Sequence, residues 1–313
     1  MEVLHDAGSC PWPGGGSVVT VGAYDGVHLG HRAVIAEVRD RARRHGLASA
    51  VVTFDRHPAS VVRPASAPRL LTDLDQKLEL LASTGIDLCL VVTFDEARSK
   101  EPAEDFVREV LVDCLRARQV VVGRDFHFGH DRAGDVGLLV AMGAELGFTA
   151  AGLDLVDEGG RAAGEGPKVS STAIRRALVE GELAAADRML GRHHEVRALV
   201  VRADAELTER GVATVDLAVP GDILVPAAGT YAVARVDVGG RAGAGRLLAS
   251  VGRRPPLSAE AHVQLVELHG PAGAAEGDGV SLAFLSRLGP VVPAEPGPAA
   301  AALAALAGSP TTP

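Results

Sequence analysis

Aromatic residues are scarce: seven Phe, two Tyr and one Trp make up 3 % of the 313 residues. A core built this way relies on aliphatic packing, and a G+C-rich coding sequence explains the surplus of Ala, Gly, Val, Leu and Arg without reference to function. Cysteine is limited to Cys10, Cys89 and Cys114, an odd number without metal-like spacing. Cys89 and Cys114 fall in apolar strand and helix patterns, which predicts buried structural thiols in a reduced, cytoplasmic chain. No apolar run is long enough to span a bilayer, and the polar stretch from Met1 to Gly16 lacks a signal-peptide core, so no membrane role is expected. An excess of base is also missing: 31 Lys and Arg face 40 Asp and Glu, for a net charge of −9. That argues against nucleic acid as a partner and still permits a local pocket for phosphates.

What remains is a globular composition, 47 % hydrophobic and 23 % charged, at a length sufficient for two domains. The most informative stretch is His28-Leu29-Gly30-His31, directly after the strand-like run Val18 to Gly26. Two histidines at a strand-to-helix junction suit a nucleoside triphosphate. Gly22, Gly26 and Gly30 let the backbone approach an anion, and a helix opening near Leu29 turns its N–H groups toward it. Imidazoles there can hydrogen-bond a phosphate and, when protonated, offset its charge. A surface loop with two solvated histidines is the plainer reading. Val34, Ile35, Val38 and Ala42 on one face of the following helix favour the first.

The first half alternates strands and helices. Strands are expected at Val18 to Asp25, Ala48 to Phe54, Leu88 to Phe94, Gln119 to Val122 and Ala150 to Val156. Helices are expected at Leu29 to His45, from Thr72, at Ala103 to Leu115 and at Val136 to Leu146. Such alternation predicts an α/β unit with a covered parallel sheet, whose ligands sit beyond the carboxyl ends of the strands. Val51-Val52-Thr53-Phe54-Asp55 recurs as Val91-Val92-Thr93-Phe94-Asp95, as two buried strands ending in a carboxylate at that edge. After Gly191 the texture changes to short strand candidates (Val196 to Arg202, Gly211 to Val219, Gly229 to Val238, Gly245 to Val251, Ala261 to Leu268) between Gly, Pro and charged turns. That predicts a smaller antiparallel β-barrel. The expected layout is a flexible N-terminus at 1–16, a nucleotidyltransferase-like domain at 17–191, a barrel at 192–290 and a loosely ordered Ala/Pro-rich tail at 291–313.

Three further segments join the first: Thr53-Phe54-Asp55-Arg56-His57-Pro58, Gly123-Arg124-Asp125-Phe126-His127-Phe128-Gly129, and Val169-Ser170-Ser171-Thr172-Ala173-Ile174-Arg175-Arg176. With them the chain resembles the bacterial FAD synthetases, two-module proteins that pair an FMN adenylyltransferase with a riboflavin kinase. The resemblance is dense from Val18 to Gly191 and thinner to about Leu288. It implies a Rossmann-like nucleotidyltransferase with ATP and FMN as substrates and Mg2+ carried on the triphosphate, without a dedicated protein ligand. Gly22, Ala23, Tyr24, Asp25 and Gly30 would form the first nucleotide loop, with Tyr24 where the family usually has Phe. His28 and His31 would hold the triphosphate. Ser170, Ser171, Thr172 and Arg175 would form a second phosphate-binding element, with Arg175 counted among the catalytic residues. Asp125, Phe126 and Phe128 would lie between ATP and the flavin phosphate. Phe54, His57 and Pro58 would border the flavin, with a place in the core the equal alternative for Phe54, and Arg56 stands where the family usually has Pro. His5, His45 and His130 have no partner pattern and read as solvated.

In the second module the resemblance weakens. The family's Pro-Thr-Ala-Asn reads Ala213-Thr214-Val215-Asp216 here, and the acidic segment Asp204 to Arg210 replaces a glycine-rich loop. Carboxylates where ATP phosphates should sit are unfavourable. Thr214, Asp216 and Glu260 thus outline a degenerate kinase site, and the expectation is a retained barrel with kinase activity lost or weak. The alternatives are a fully bifunctional enzyme, a nucleotidyltransferase acting on a flavin analogue, and a non-catalytic flavin-sensing paralogue. The sequence carries no sign of oligomeric state.

Overall fold

The computed structural model describes residues 1–7, 10, 14–154, 168–204, 213–237, 241–252, 263–270 and 275–291. They pack as two units: Met1–Pro68 with Leu74–Ser170, and Arg69–Asp73 with the chain from Ser171 onward.

In the first unit, β1 (Glu2–His5), β2 (Ser17–Val21), β3 (Ala48–Phe54), β4 (Leu88–Val92), β5 (Ala117–Gly123) and β6 (Thr149–Leu153) form one parallel sheet. The strand order is β1-β4-β3-β2-β5-β6. β2 and β4 are buried along their whole length, as apolar parallel strands are when both faces are covered. Alternate side chains enter opposite layers: Val19, Val52 and Leu90 one, Val18, Val51 and Cys89 the other. Around the sheet run α1 (Leu29–His45), α2 (Ala59–Val62), α3 (Leu74–Ala82), α4 (Glu96–Ser99), α5 (Ala103–Phe106) and α6 (Val136–Leu146). α1 buries Ile35, Val38 and Ala42 on the Val18 side and stops at Gly46, whose φ of 65° suits a residue without Cβ.

Three expectations are corrected here. The N-terminus is not a flexible lead-in: Glu2–His5 pairs in register with Leu88–Val91 and supplies the edge strand, and Ala7 is buried in the core behind it. The helix expected over Ala103 to Leu115 widens after α5 into a π-helix at Val107–Cys114, which still buries Val107, Val110, Leu111 and Cys114. Cys114 is buried as expected but is bonded to Cys10, with Cα atoms 4.9 Å apart across 104 residues of sequence. Neither is therefore a free thiol. Cys89 is one, and burial pushes its pKa up to about 12.

The second unit begins with α7 (Ser171–Glu180) and α8 (Leu183–Leu190), which the sequence reading attached to the first module. They pack with the barrel; the Ala227 N–H, for example, donates to the Leu178 carbonyl at 2.9 Å. β7 (His194–Asp204), β8 (Ala213–Pro220), β9 (Gly229–Asp237), β10 (Arg241–Val251), β11 (Val263–Gly270) and β12 (Gly279–Gly289) follow. They close in the order β10-β11-β8-β7-β12-β9, which removes every sheet edge. β12 was not expected. It buries Val280, Leu282 and Phe284, and Phe284 packs edge-on to Tyr231 with centroids 5.3 Å apart. Arg69–Asp73 belongs to this unit because Leu70 exchanges backbone hydrogen bonds with Asp222 and Leu224, at 2.6 and 2.8 Å. The segment at 205–210, the residues around Glu260 and the tail beyond Val291 lie outside the described residues. No helix among the described residues is long and apolar enough to cross a membrane.

Candidate active site

β2 ends at Val21, and the chain then turns sharply at the carboxyl edge of the sheet. Tyr24 and Val27 take positive φ angles of 51° and 39°, on either side of Gly26 at 80°. A β-branched residue in that region is strained, so the surroundings must hold the turn. Tyr24 Oη and Thr20 Oγ1 share a hydrogen bond of 2.7 Å, and burial raises the phenol pKa despite it. The Val27 carbonyl accepts from Arg32 Nε at 3.3 Å.

The turn delivers His28 to the N-cap of α1, where its Nδ1 accepts the His31 N–H at 3.3 Å. That contact uses the Nδ1 lone pair and leaves Nε2 as the other polar atom of the ring. Its ring stacks on His31 at 3.6 Å between centroids, and Tyr24 lies 4.9 Å from His31. A Cβ on Gly30 would sit 3.5 Å from the Val169 carbonyl. Ser170 therefore follows a residue that reaches the histidine turn. Ser171, Thr172 and Arg175 open α7 in the second unit, where Arg175 Nε donates to the Arg69 carbonyl at 2.6 Å.

Beside the turn lies a cavity of about 740 Å³. Gly22 and Ala23 line it together with all six residues expected around a flavin: Phe54, His57, Pro58, Asp125, Phe126 and Phe128. Phe126 and Phe128 stack at 5.3 Å, and Phe106 backs Phe128 at 5.8 Å. Phe54 packs against the core and also lines the cavity. The repeated pentapeptide explains the opposite wall. β3 and β4 lie side by side, so Phe54 and Phe94 meet edge to face at 5.2 Å. Asp55 accepts the Phe94 N–H at 2.9 Å. Burial alone would raise the Asp55 pKa, but this bond and Arg56 hold it below the usual carboxylate range.

Sequence reasoning missed several lining residues. Val61 and Val62 form an apolar lip, with Val62 64 % exposed. Arg98 reaches the rim between Glu101 at 2.7 Å and Glu109 at 3.1 Å. His130 is exposed as expected, yet it also lines the cavity. Lys77 on α3 was missed as well. It is only 7 % exposed and donates from Nζ to the carbonyls of Phe54 and Ala23. Its signal was in the sequence: Leu74, Lys77, Leu78 and Leu81 share one helical face, and a charge on such a stripe is out of place.

In the barrel, Thr214 and Asp216 fall in β8, with Asp216 opposite Glu267 on β11 and Arg202 on β7. Asp216 is buried. Glu260 lies outside the described residues.

The FAD synthetase family model matches residues 12–173. A relative from Escherichia coli strain K12, described as a bifunctional riboflavin kinase/FMN adenylyltransferase, is 34 % identical over 255 residues, covering 82 % of this chain and 78 % of its own. One of the same description from Listeria monocytogenes is 36 % identical over 230 residues, covering 73 % and 71 %. A crystal structure described as a macrolide-efflux protein from Streptococcus pneumoniae superposes with a TM-score of 0.76 over 97 % of this chain and 96 % of that one. At 21 % identity it shares the fold alone.

Proposed function

The chain belongs to the FAD synthetase family, and from that premise we propose that it is an FMN adenylyltransferase, moving AMP from ATP to FMN to give FAD and pyrophosphate. One observation carries this reading: Gly22 and Ala23 of the nucleotide loop line the same cavity as the aromatic residues assigned to the flavin. An FMN phosphate oxygen attacks the α-phosphorus of ATP. As that P–O bond forms, the bond to the bridging oxygen breaks and pyrophosphate leaves with its electrons. A phosphate monoester is largely ionised at neutral pH, so alignment and charge neutralisation are needed rather than a strong base.

In this reading the rings of His28 and His31 hydrogen-bond the triphosphate, at a helix N-terminus whose dipole favours anions. Gly22, Ala23, Tyr24, Asp25, Gly30 and Ser170 hold ATP; for Ser171, Thr172 and Arg175, which open α7 in the second unit, a phosphate-binding role rests on the resemblance alone. Phe54, His57, Pro58, Asp125, Phe126 and Phe128 receive the flavin. Among the described residues no three His, Cys, Asp or Glu side chains gather to hold a metal. Mg2+ in this reading arrives on the triphosphate, held by phosphate oxygens and water.

For the barrel we propose that riboflavin phosphorylation is lost or weak, because a buried carboxylate, Asp216, stands where the resemblance places an Asn. Full bifunctionality is the second reading, favoured by the descriptions of relatives whose similarity spans 82 % of this chain. The test supplies riboflavin and FMN separately, with ATP and Mg2+, to the full chain and identifies the products. FAD and pyrophosphate should form from FMN, with little or no FMN from riboflavin. Absence of FAD overturns the first proposal, and robust FMN formation overturns the second.

A further inference from the structure

Parallel strands separate where they leave a sheet, because the backbone ladder stops while the chain continues. β2 and β3 pair as far as Val21 opposite Val52. Beyond that point a succession of donors keeps the two chains together. The Gly22 N–H donates to the Val52 carbonyl at 3.0 Å. Thr53 Oγ1 donates to the Ala23 carbonyl at 3.1 Å. Lys77 Nζ, arriving from α3, donates to the Phe54 carbonyl at 2.7 Å and the Ala23 carbonyl at 3.4 Å. The outermost link is thus a cation borrowed from another element.

Holding that cation inside is costly. Burial disfavours the ammonium and lowers its pKa, while Asp25 foremost, then Cys89 and Asp55, act the other way. An apolar residue would continue the face formed by Leu74, Leu78 and Leu81 without this cost. What it could not do is donate to two carbonyls at once, and those carbonyls belong to Ala23, in the turn after β2, and Phe54, at the end of β3, which both line the cavity.

We infer that Lys77 is a positioning residue, whose ammonium clamps the nucleotide loop to the flavin wall and so sets the spacing between the reacting phosphates. The inference rests on the adenylyl-transfer reading above. Lys77 is assigned no substrate contact, so its loss leaves each substrate able to bind and misaligns the pair. A displacement of about 1 Å between reactants costs on the order of 100-fold in rate.

Lys77→Met keeps the length of the side chain without its charge, and Lys77→Gln keeps an N–H donor. For both full-length variants, binding of FMN alone and of a non-hydrolysable ATP analogue alone is measured, followed by kcat for FAD formation well below the melting transition. The expectation is binding of each ligand within about threefold of the parent and a kcat lower by roughly 30- to 100-fold. The clamp is overturned if folded Lys77→Met keeps kcat within about threefold, or if kcat and both affinities fall together with the folded fraction. Should Lys77→Met fail to fold, Lys77→Gln is judged by the same criteria. Hydrogen exchange gives a readout independent of turnover: faster exchange confined to Gly22–Asp25 and Phe54–Arg56 supports the clamp, and unchanged exchange there overturns it. Absence of FAD from the parent protein refutes the functional reading instead, and the exchange measurement still decides the clamp.

Discussion

The two units differ in whether their buried charged residues lie in strands. In the first, Asp25 lies in the loop after β2 and Lys77 on α3, while the polar residues buried inside the strands, Ser17, Thr20, Ser49 and Thr53, are all hydroxyls. In the second, the buried carboxylate of Asp216 lies in the middle of β8. An open parallel sheet can change its edge loops while the apolar strands behind them stay as they are. A closed barrel has no free edge, so a residue buried within one of its strands, such as Asp216, is held by the core itself.

The sharpest way to break this comparison is His31→Ala. FAD formation should fall on the order of 100- to 1000-fold, while any conversion of riboflavin to FMN stays at the level of the parent, both read by product chromatography. Equal loss in the two reactions would show that the units do not divide the chemistry.

A smaller effect tests the barrel by itself. His194 is fully enclosed, its Nε2 2.9 Å from the Leu224 carbonyl, and burial lowers its pKa to about 4. The unfolded chain takes up that proton near pH 6.5 and the folded one only near pH 4. Stability is therefore complete above pH 6.5 and declines as pH falls from 6.5 to 4, by at most about 3 kcal/mol. Acid-dependent unfolding followed by hydrogen exchange in β7 and β12 should show the decline, and His194→Gln should flatten it. A pH-independent barrel would remove the distinction.

Gly129→Ala acts on the first unit alone. Gly129 has φ +74°, and a Cβ there would lie 2.6 Å from the Cβ and 2.7 Å from the Cα of Ala103. Overpacking against backbone should cost about 1–3 kcal/mol and weaken FMN binding through the neighbouring Phe128. Thermal melting and flavin titration check both; a neutral substitution would mean that this wall of the cavity yields freely.

Much of the site was legible because its signals are local. The His28-Leu29-Gly30-His31 turn and the helix from Leu29 to His45 needed only motif and periodicity, the six residues that share the cavity were named through the family resemblance, and the repeated Val-Val-Thr-Phe-Asp marked two strand ends that prove to be neighbours. β1 escaped notice because it has only four residues and owes its existence to pairing with β4. β12 escaped although Val280, Leu282 and Phe284 alternate plainly. Lys77 was visible only as a misfit, since nothing in α3 says which carbonyls it will meet.

By itself the sequence determined the parallel sheet, the antiparallel barrel and the histidine turn that follows β2, because hydrophobic period and turn residues act over a few neighbours along the chain. Tertiary structure alone decided that Cys10 meets Cys114, that Phe94 faces Phe54 and that the Lys77 ammonium bridges Ala23 and Phe54. Those contacts join distant parts of the chain, and their geometry is set by how the sheet twists and packs, which no local pattern encodes.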